Sequence, residues 1–142
     1  MNYFFLLVGL FFTLETRGQS TPTTLQLSIT GANSDAGSIR VLIFSEPSGF
    51  PDQVSNSVRN MSIAPKSGKA SFKLTDIPVG TYAIGVIHDE DNNGKLSTNA
   101  VGYPIEKFGF SNNPKVYFGP PSFEKAAFVL GKSPVSVEIK LR

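Results

Sequence analysis

The sequence predicts an all-β protein, a single antiparallel sandwich of about seven short strands. Three observations carry this. Apolar residues recur with period two in several segments, as strands with one buried face require. Glycine- and proline-containing turns separate those segments. No amphipathic helix of three turns can be drawn anywhere along the 142 residues.

The elements follow in order. Leu25, Leu27 and Ile29 alternate with Gln26, Ser28 and Thr30. Ile39, Val41 and Ile43 alternate with Arg40, Leu42 and Phe44, so the second half of this strand is apolar on both faces. Met61 to Ala64 forms a weaker candidate, and Phe50 to Asn60 has room for one short turn opened by Pro51 and Asp52. Phe72 and Leu74 alternate with Ser71, Lys73 and Thr75. Tyr82, Ile84 and Val86 alternate with Ala83, Gly85 and Ile87, a near-continuous apolar run suited to a central strand. Ala126, Phe128 and Leu130 give a short strand, and Val135, Val137, Ile139 and Leu141 the last one. Residues 90–122 contain no clear strand and are expected to form one long loop; loops of that length are usually functional.

The N-terminus has another character. Residues 3–14 are almost wholly apolar. That run is shorter than the about 20 residues needed to span a bilayer and fits the apolar region of a signal peptide. Cleavage after Gly18 would leave Gln19 first. The expected organisation is therefore a signal peptide over 1–18, a linker over 19–24 and the sandwich over 25–142, in an exported protein of the periplasm, cell surface or medium. No membrane span is expected after cleavage.

Composition excludes several chemistries. The chain has no Cys, hence no disulfide, thiolate nucleophile, iron–sulfur cluster or lipid-anchoring cysteine. Its one histidine, His88, excludes two-His metal motifs. A net charge of +2 is too small for a nucleic-acid footprint.

Residues 88–99 concentrate the unusual chemistry. The order Asp89-x-Asp91-x-Asn93-Gly94 matches the opening of a calcium loop. Ca²⁺ takes six to eight hard oxygens, which alternate side chains on a tightly turning backbone can converge on one point. Asp89, Asp91, Asn93, the Lys95 carbonyl and Ser97 are the candidate ligands. Gly94 would permit the turn, and Leu96 would anchor the loop. Ala100 stands where a helix-flanked loop has its bidentate Glu, so affinity should be modest, about 10⁻⁴–10⁻³ M. Asn99 or Glu106 could complete the shell. The same residues also suit a plain Asx-rich turn, since Asp and Asn cap their own backbone and Asn93-Gly94 favours positive φ.

His88, at the end of the central strand, reads as a general base beside Asp89 and Glu90 or as a strand-end residue with a local hydrogen bond. Further along, Tyr103, Phe108, Phe110, Tyr117, Phe118 and Phe123 are interleaved with Gly and Pro. They could stack on a sugar or grip a peptide, or fold back to extend the core.

The run from Gly80 to Asn99, the segment Gly102 to Asn112, the stretch Gly119 to Ala126 and the early Gly37 to Phe44 together resemble a bacterial family of exported proteins, the domain of unknown function 2141. The resemblance covers about Leu25 to Leu141. It implies an exported sandwich and supplies no activity. The family pattern usually has Asp at the position of Ser97, so this chain lacks one carboxylate there. Ile77 to Tyr82 is also similar to the strand start of transthyretin-like sandwiches, which makes an immunoglobulin-like or transthyretin-like type the expectation.

The functional expectation is a non-enzymatic binding or structural module whose loop 89–97 holds Ca²⁺. The alternative is a carbohydrate- or peptide-binding module using Tyr103 to Phe123, with a cell-surface carbohydrate or protein as partner. A hydrolase built on His88, Asp89, Glu90 and Glu106 ranks below both, because the chain has no G-x-S-x-G elbow and no evident pair of carboxylates across a cleft.

Overall fold

The structure is a computed structural model and describes residues 22–142. The expected signal peptide over 1–18 lies outside the described residues. Eight strands run in chain order: β1 (Pro22–Thr30), β2 (Ser38–Phe44), β3 (Arg59–Ile63), β4 (Lys69–Pro78), β5 (Gly80–Asp89), β6 (Phe108–Phe110), β7 (Phe128–Leu130) and β8 (Val135–Lys140). A 3₁₀ turn over Val54–Asn56 and a single helical turn, α1 (Phe123–Ala126), complete the elements. No helix among the described residues is long and apolar enough to cross a membrane.

The strands form two sheets, β4-β1-β8 and β3-β2-β5-β6, with β7 pairing the first residues of β5. This is the all-β sandwich that the alternation predicts. Pairings are antiparallel except one: β8 lies parallel to β1, with Leu25 opposite Val135 and Ile29 opposite Ile139. β1 begins at Pro22, so Pro22–Thr24, read as the end of the linker, already belong to the strand, with Pro22 and Thr23 paired to Pro78 and Ile77 and Thr24 at a register shift. The long segment 90–122 is not wholly loop either, because Phe108–Phe110 pairs with Gly85–Ile87. Three residues are too few to display an alternation, which is why the sequence hid β6. Ala126, expected in a strand, ends α1 instead.

The inner face of each sheet supplies one core. Leu25, Leu27 and Ile29 of β1 meet Ile39, Val41 and Ile43 of β2 and Ile84 and Val86 of β5, all fully or almost fully buried. Each fully buried side chain of this kind contributes about 1.5–3 kcal/mol. Where the chain crosses from β4 to β5, the Tyr82 hydroxyl donates to the Pro78 carbonyl (2.8 Å) and fixes the corner. Burial pushes its phenol pKa up.

The outer face of the five-stranded sheet is covered as well. Phe50, Phe108, Val116 and Phe123 pack with buried Ala83, Phe110 and Ala126 into a second cluster. Phe50 meets Phe44 and Phe123 edge-on, with ring centroids 5.4 and 6.0 Å apart. This cover explains why β5 is buried on both faces. On the opposite, inter-sheet side of β6, Gly109 leaves room for β8, where a Cβ would lie 2.7 Å from Ile139 Cγ2.

Candidate metal centre

The site is built on the last two residues of β5. Side chains of successive strand residues face opposite ways, so His88 enters the inter-sheet side opposite Ile39, and Asp89 the outer side opposite Ser38. Both are fully buried.

Asp89 anchors the turn that follows it. Its Oδ1 accepts the Asn93 N–H (3.0 Å), and Oδ2 accepts the Gly94 N–H (2.9 Å). Oδ2 also lies 3.4 Å from Arg40 Nη1, its ion-pair partner from the same outer face of β2. Asp91 Oδ1 accepts the Asn93 N–H (3.0 Å), while Oδ2 accepts from Asn93 Nδ2 (2.8 Å) and Ser97 Oγ (3.4 Å). Asn93 Oδ1 takes the Lys95 N–H (2.8 Å). Asn92 and Gly94 adopt positive φ, 56° and 83°, which the tight turn requires and which Asn and Gly tolerate best. Every feature of an Asx-rich turn is therefore present.

Glu106 closes the loop from fifteen residues beyond Asp91 in sequence. It is buried; Oε1 accepts the Glu90 N–H (2.8 Å) and Oε2 the Ser97 N–H (2.9 Å). One carboxylate oxygen each from Asp89, Asp91 and Glu106 lie within 4.8 Å of one another. Glu106 thus enters where the linear loop pattern offers Ala100.

The five residues expected as ligands divide. Asp89 and Asp91 join the carboxylate cluster. Ser97 Oγ lies beside Asp91 and 2.8 Å from Asn93 Nδ2. Asn93 turns its amide nitrogen, not its oxygen, toward those oxygens, and Lys95 takes part through its N–H. Leu96 is only half-buried. Arg40 was not legible as a member of the site, because only the β2–β5 register brings it beside Asp89.

An ion here would need lone pairs that remain. A carboxylate offers about four acceptor positions, and the bonds above use two or three on each group. Three hard oxygens from three carboxylates suit Ca²⁺ or Mg²⁺ rather than a soft metal.

His88 has a different task. Nε2 faces the Ala36 carbonyl at 2.9 Å and so carries the proton, while Nδ1 accepts the Asn33 N–H (3.4 Å). Together these bonds tie the β1–β2 connection over the open end of the core. Glu90 Oε1 lies 3.4 Å from Nδ1 and is buried with no hydrogen-bond donor among the described residues. Gly37, in the same connection, has φ +66°, and a Cβ there would fall 2.1 Å from the Asp89 carbonyl oxygen.

The aromatic segment separates into two groups. Phe108, Phe110 and Phe123 belong to the outer cluster. Tyr103, Tyr117 and Phe118 are exposed. Tyr103 precedes β6 and the other two follow it, so they leave that strand at opposite ends. A shallow cleft lined by Thr30, Asn113, Glu138, Ile139, Lys140 and Arg142 lies along the outer edge of β8 and includes neither His88 nor the acidic cluster.

Fold and site together define a two-sheet β-sandwich that carries an acidic, backbone-capped turn at the end of its central strand. The chain belongs to the family of uncharacterized proteins conserved in bacteria, the domain of unknown function 2141, whose family model matches residues 27–138. No curated protein and no solved structure matches the chain.

Proposed function

We propose that this is an exported, non-enzymatic binding or structural module in which the turn from Asp89 to Ser97, closed by Glu106, holds a Ca²⁺ ion. The observation that carries the reading is the approach of the three carboxylates, Asp89, Asp91 and Glu106, to within 4.8 Å. Like charges this close repel, and a divalent cation between them removes that cost. The Asn93 amide group is the donor nearest Asp91 and Ser97. A half-turn about its Cβ–Cγ bond would offer the ion Oδ1 instead of Nδ2. The binding constant expected of such a site is about 10⁻⁴–10⁻³ M, in the range of extracellular calcium modules.

Two observations support the non-enzymatic part. His88 is fully buried with both ring nitrogens engaged, so it has no face to offer a substrate. Asp89 and Glu106 are buried and occupied with backbone N–H groups. The apolar run over residues 3–14 supports export.

Calorimetric titration with Ca²⁺ and Mg²⁺ tests the metal reading. Saturable binding of Ca²⁺, weakened about tenfold or more in Glu106→Gln, is the expected result. Binding that Glu106→Gln leaves unchanged, or no binding at millimolar Ca²⁺, would overturn it.

A second reading, capture of a sugar or peptide by the aromatic segment, is favoured by the exposure of Tyr117 and Phe118, at 78% and 101%. Binding of soluble cell-surface glycans or of peptides, lost in Tyr117→Ala/Phe118→Ala, would establish it.

A further inference from the structure

We infer that Asn93–Gly94 is a deamidation site that the acidic turn holds shut, so that Asn93 becomes a carboxylate only when the turn opens. This inference goes beyond the calcium reading and does not depend on it.

The chain contains one Asn-Gly pair, and it lies within this turn. Such a pair is labile for a general chemical reason. The backbone nitrogen that follows an asparagine can attack the side-chain amide carbon, and glycine, with no Cβ, obstructs that attack least. The bond from Gly94 N to Asn93 Cγ forms, the Cγ–Nδ2 bond breaks, and the proton from Gly94 N departs with the ammonia. Water then opens the cyclic imide at one carbonyl or the other, leaving an aspartate or an isoaspartate at position 93.

Asn93 is exposed, so burial does not protect it. Hydrogen bonds protect it instead. The Gly94 N–H donates to Asp89 Oδ2 (2.9 Å), and Asp89 is fully buried. A nitrogen stripped of that proton would face the carboxylate charge. The amide to be attacked is held at both ends. Its Nδ2 donates to Asp91 Oδ2 and to Ser97 Oγ, and its Oδ1 accepts the Lys95 N–H, all at 2.8 Å. The Lys95 bond alone would draw electrons from Cγ and favour attack. The backbone decides against it. Closing the imide turns the ψ torsion of Asn93 outside the common α and β regions. The two ends of that torsion are the Asn93 and Gly94 nitrogens, and the two oxygens of Asp89 hold one each, at 3.0 and 2.9 Å. The ring closes only after several of these bonds break together, which restricts the reaction to locally opened molecules.

Either product removes bonds that made the turn. A carboxylate at position 93 has no N–H to give Asp91 or Ser97 and repels the Asp91 charge. An isoaspartate lengthens the backbone between the two nitrogens that Asp89 holds.

The test ages the full chain in EDTA and mildly alkaline buffer, either folded or unfolded in guanidinium chloride. A lysine-specific protease then releases Leu74–Lys95, and tandem mass spectrometry scores conversion at Asn93. The folded chain should convert at least about tenfold more slowly than the unfolded one. Asp89→Ala, which frees both ends of the torsion, should approach the unfolded rate. Asp91→Ala/Ser97→Ala frees Nδ2 with Asp89 in place, and keeps the test decisive should Asp89→Ala fail to fold. It should convert several-fold faster than the parent with the same melting curve. Equal rates in the folded and unfolded parent overturn the inference, as does an unfolded chain in which Asn93 does not react. Slow conversion that neither variant relieves overturns it too. All three readouts are independent of whether calorimetry finds a metal.

Discussion

His88 and Asp89 are neighbours in sequence that hold down opposite sides of one sheet. His88 bonds the β1–β2 connection on the inter-sheet side through Ala36 and Asn33, and Asp89 bonds the Asn93–Gly94 turn on the outer side. The end of β5 thus anchors two loops, one from each side of the sheet. Substitutions at the two positions should therefore loosen different segments.

Asp89→Ala should cost about 3 kcal/mol. It leaves two backbone N–H groups without their acceptor and Arg40 without its partner. Urea unfolding gives the loss directly. Hydrogen exchange should locate it, with the amides of Asn93 and Gly94 exchanging faster while those of 33–36 keep their protection.

His88→Leu should do the reverse. It fills the same space but gives up both ring bonds, at about 1–3 kcal/mol. Exchange should quicken at Asn33 and its neighbours and leave Asn93 and Gly94 unchanged.

Asp35 ties the β1–β2 connection to the turn before β4. The Gly68 and Ser67 N–H groups, at 2.8 and 2.9 Å, hold its carboxyl pKa below the ordinary 3.8. A depressed folded-state pKa means stability that is fully present above the unfolded value and lost as pH falls through the folded one. Asp35→Ala should therefore unfold at lower urea than the parent at pH 7. The gap between the two should close as pH drops below 3.8. A gap that persists undiminished at the lowest pH would refute this role.

Gly37→Ala tests the close approach of the β1–β2 connection to β5. The residue sits at positive φ, and its Cβ would meet backbone of Asp89 and Glu90 at 2.1–2.7 Å. Left-handed strain alone costs about 1–2 kcal/mol, and backbone that must also move should take the total above about 3 kcal/mol. A melting temperature within a degree of the parent would contradict the geometry.

Much of the sandwich could be read from the chain because its long strands alternate. Leu25-Leu27-Ile29 and Val135-Val137-Ile139 each bury one face, and each shows period two. The doubly apolar run through Tyr82 to Ile87 is the central strand, as its pattern requires, covered outside by Phe50, Phe110 and Phe123. What stayed hidden depends on register or on distant pieces. β6 is too short to carry a period. The parallel pairing of β8 with β1 leaves no local trace. In the site, the turn chemistry of Asp89, Asp91, Asn93 and Gly94 was written in their spacing. Glu106 could be named as an acid further along, but its place depends on how the chain folds Ser97 back against it. Arg40 reaches Asp89 only through strand pairing.

Thermal unfolding in EDTA, in about 10 mM Ca²⁺ and in the same Mg²⁺ decides whether the acidic turn holds calcium. If Ca²⁺ is present at 10–100 times its dissociation constant, the fold gains about 1.4–2.7 kcal/mol. The melting temperature should rise by roughly 4–10 °C in Ca²⁺, and by clearly less in Mg²⁺ and in Glu106→Gln. Identical melting curves in Ca²⁺ and EDTA would contradict the claim and leave Asp89 to Ser97 as a turn that caps its own backbone.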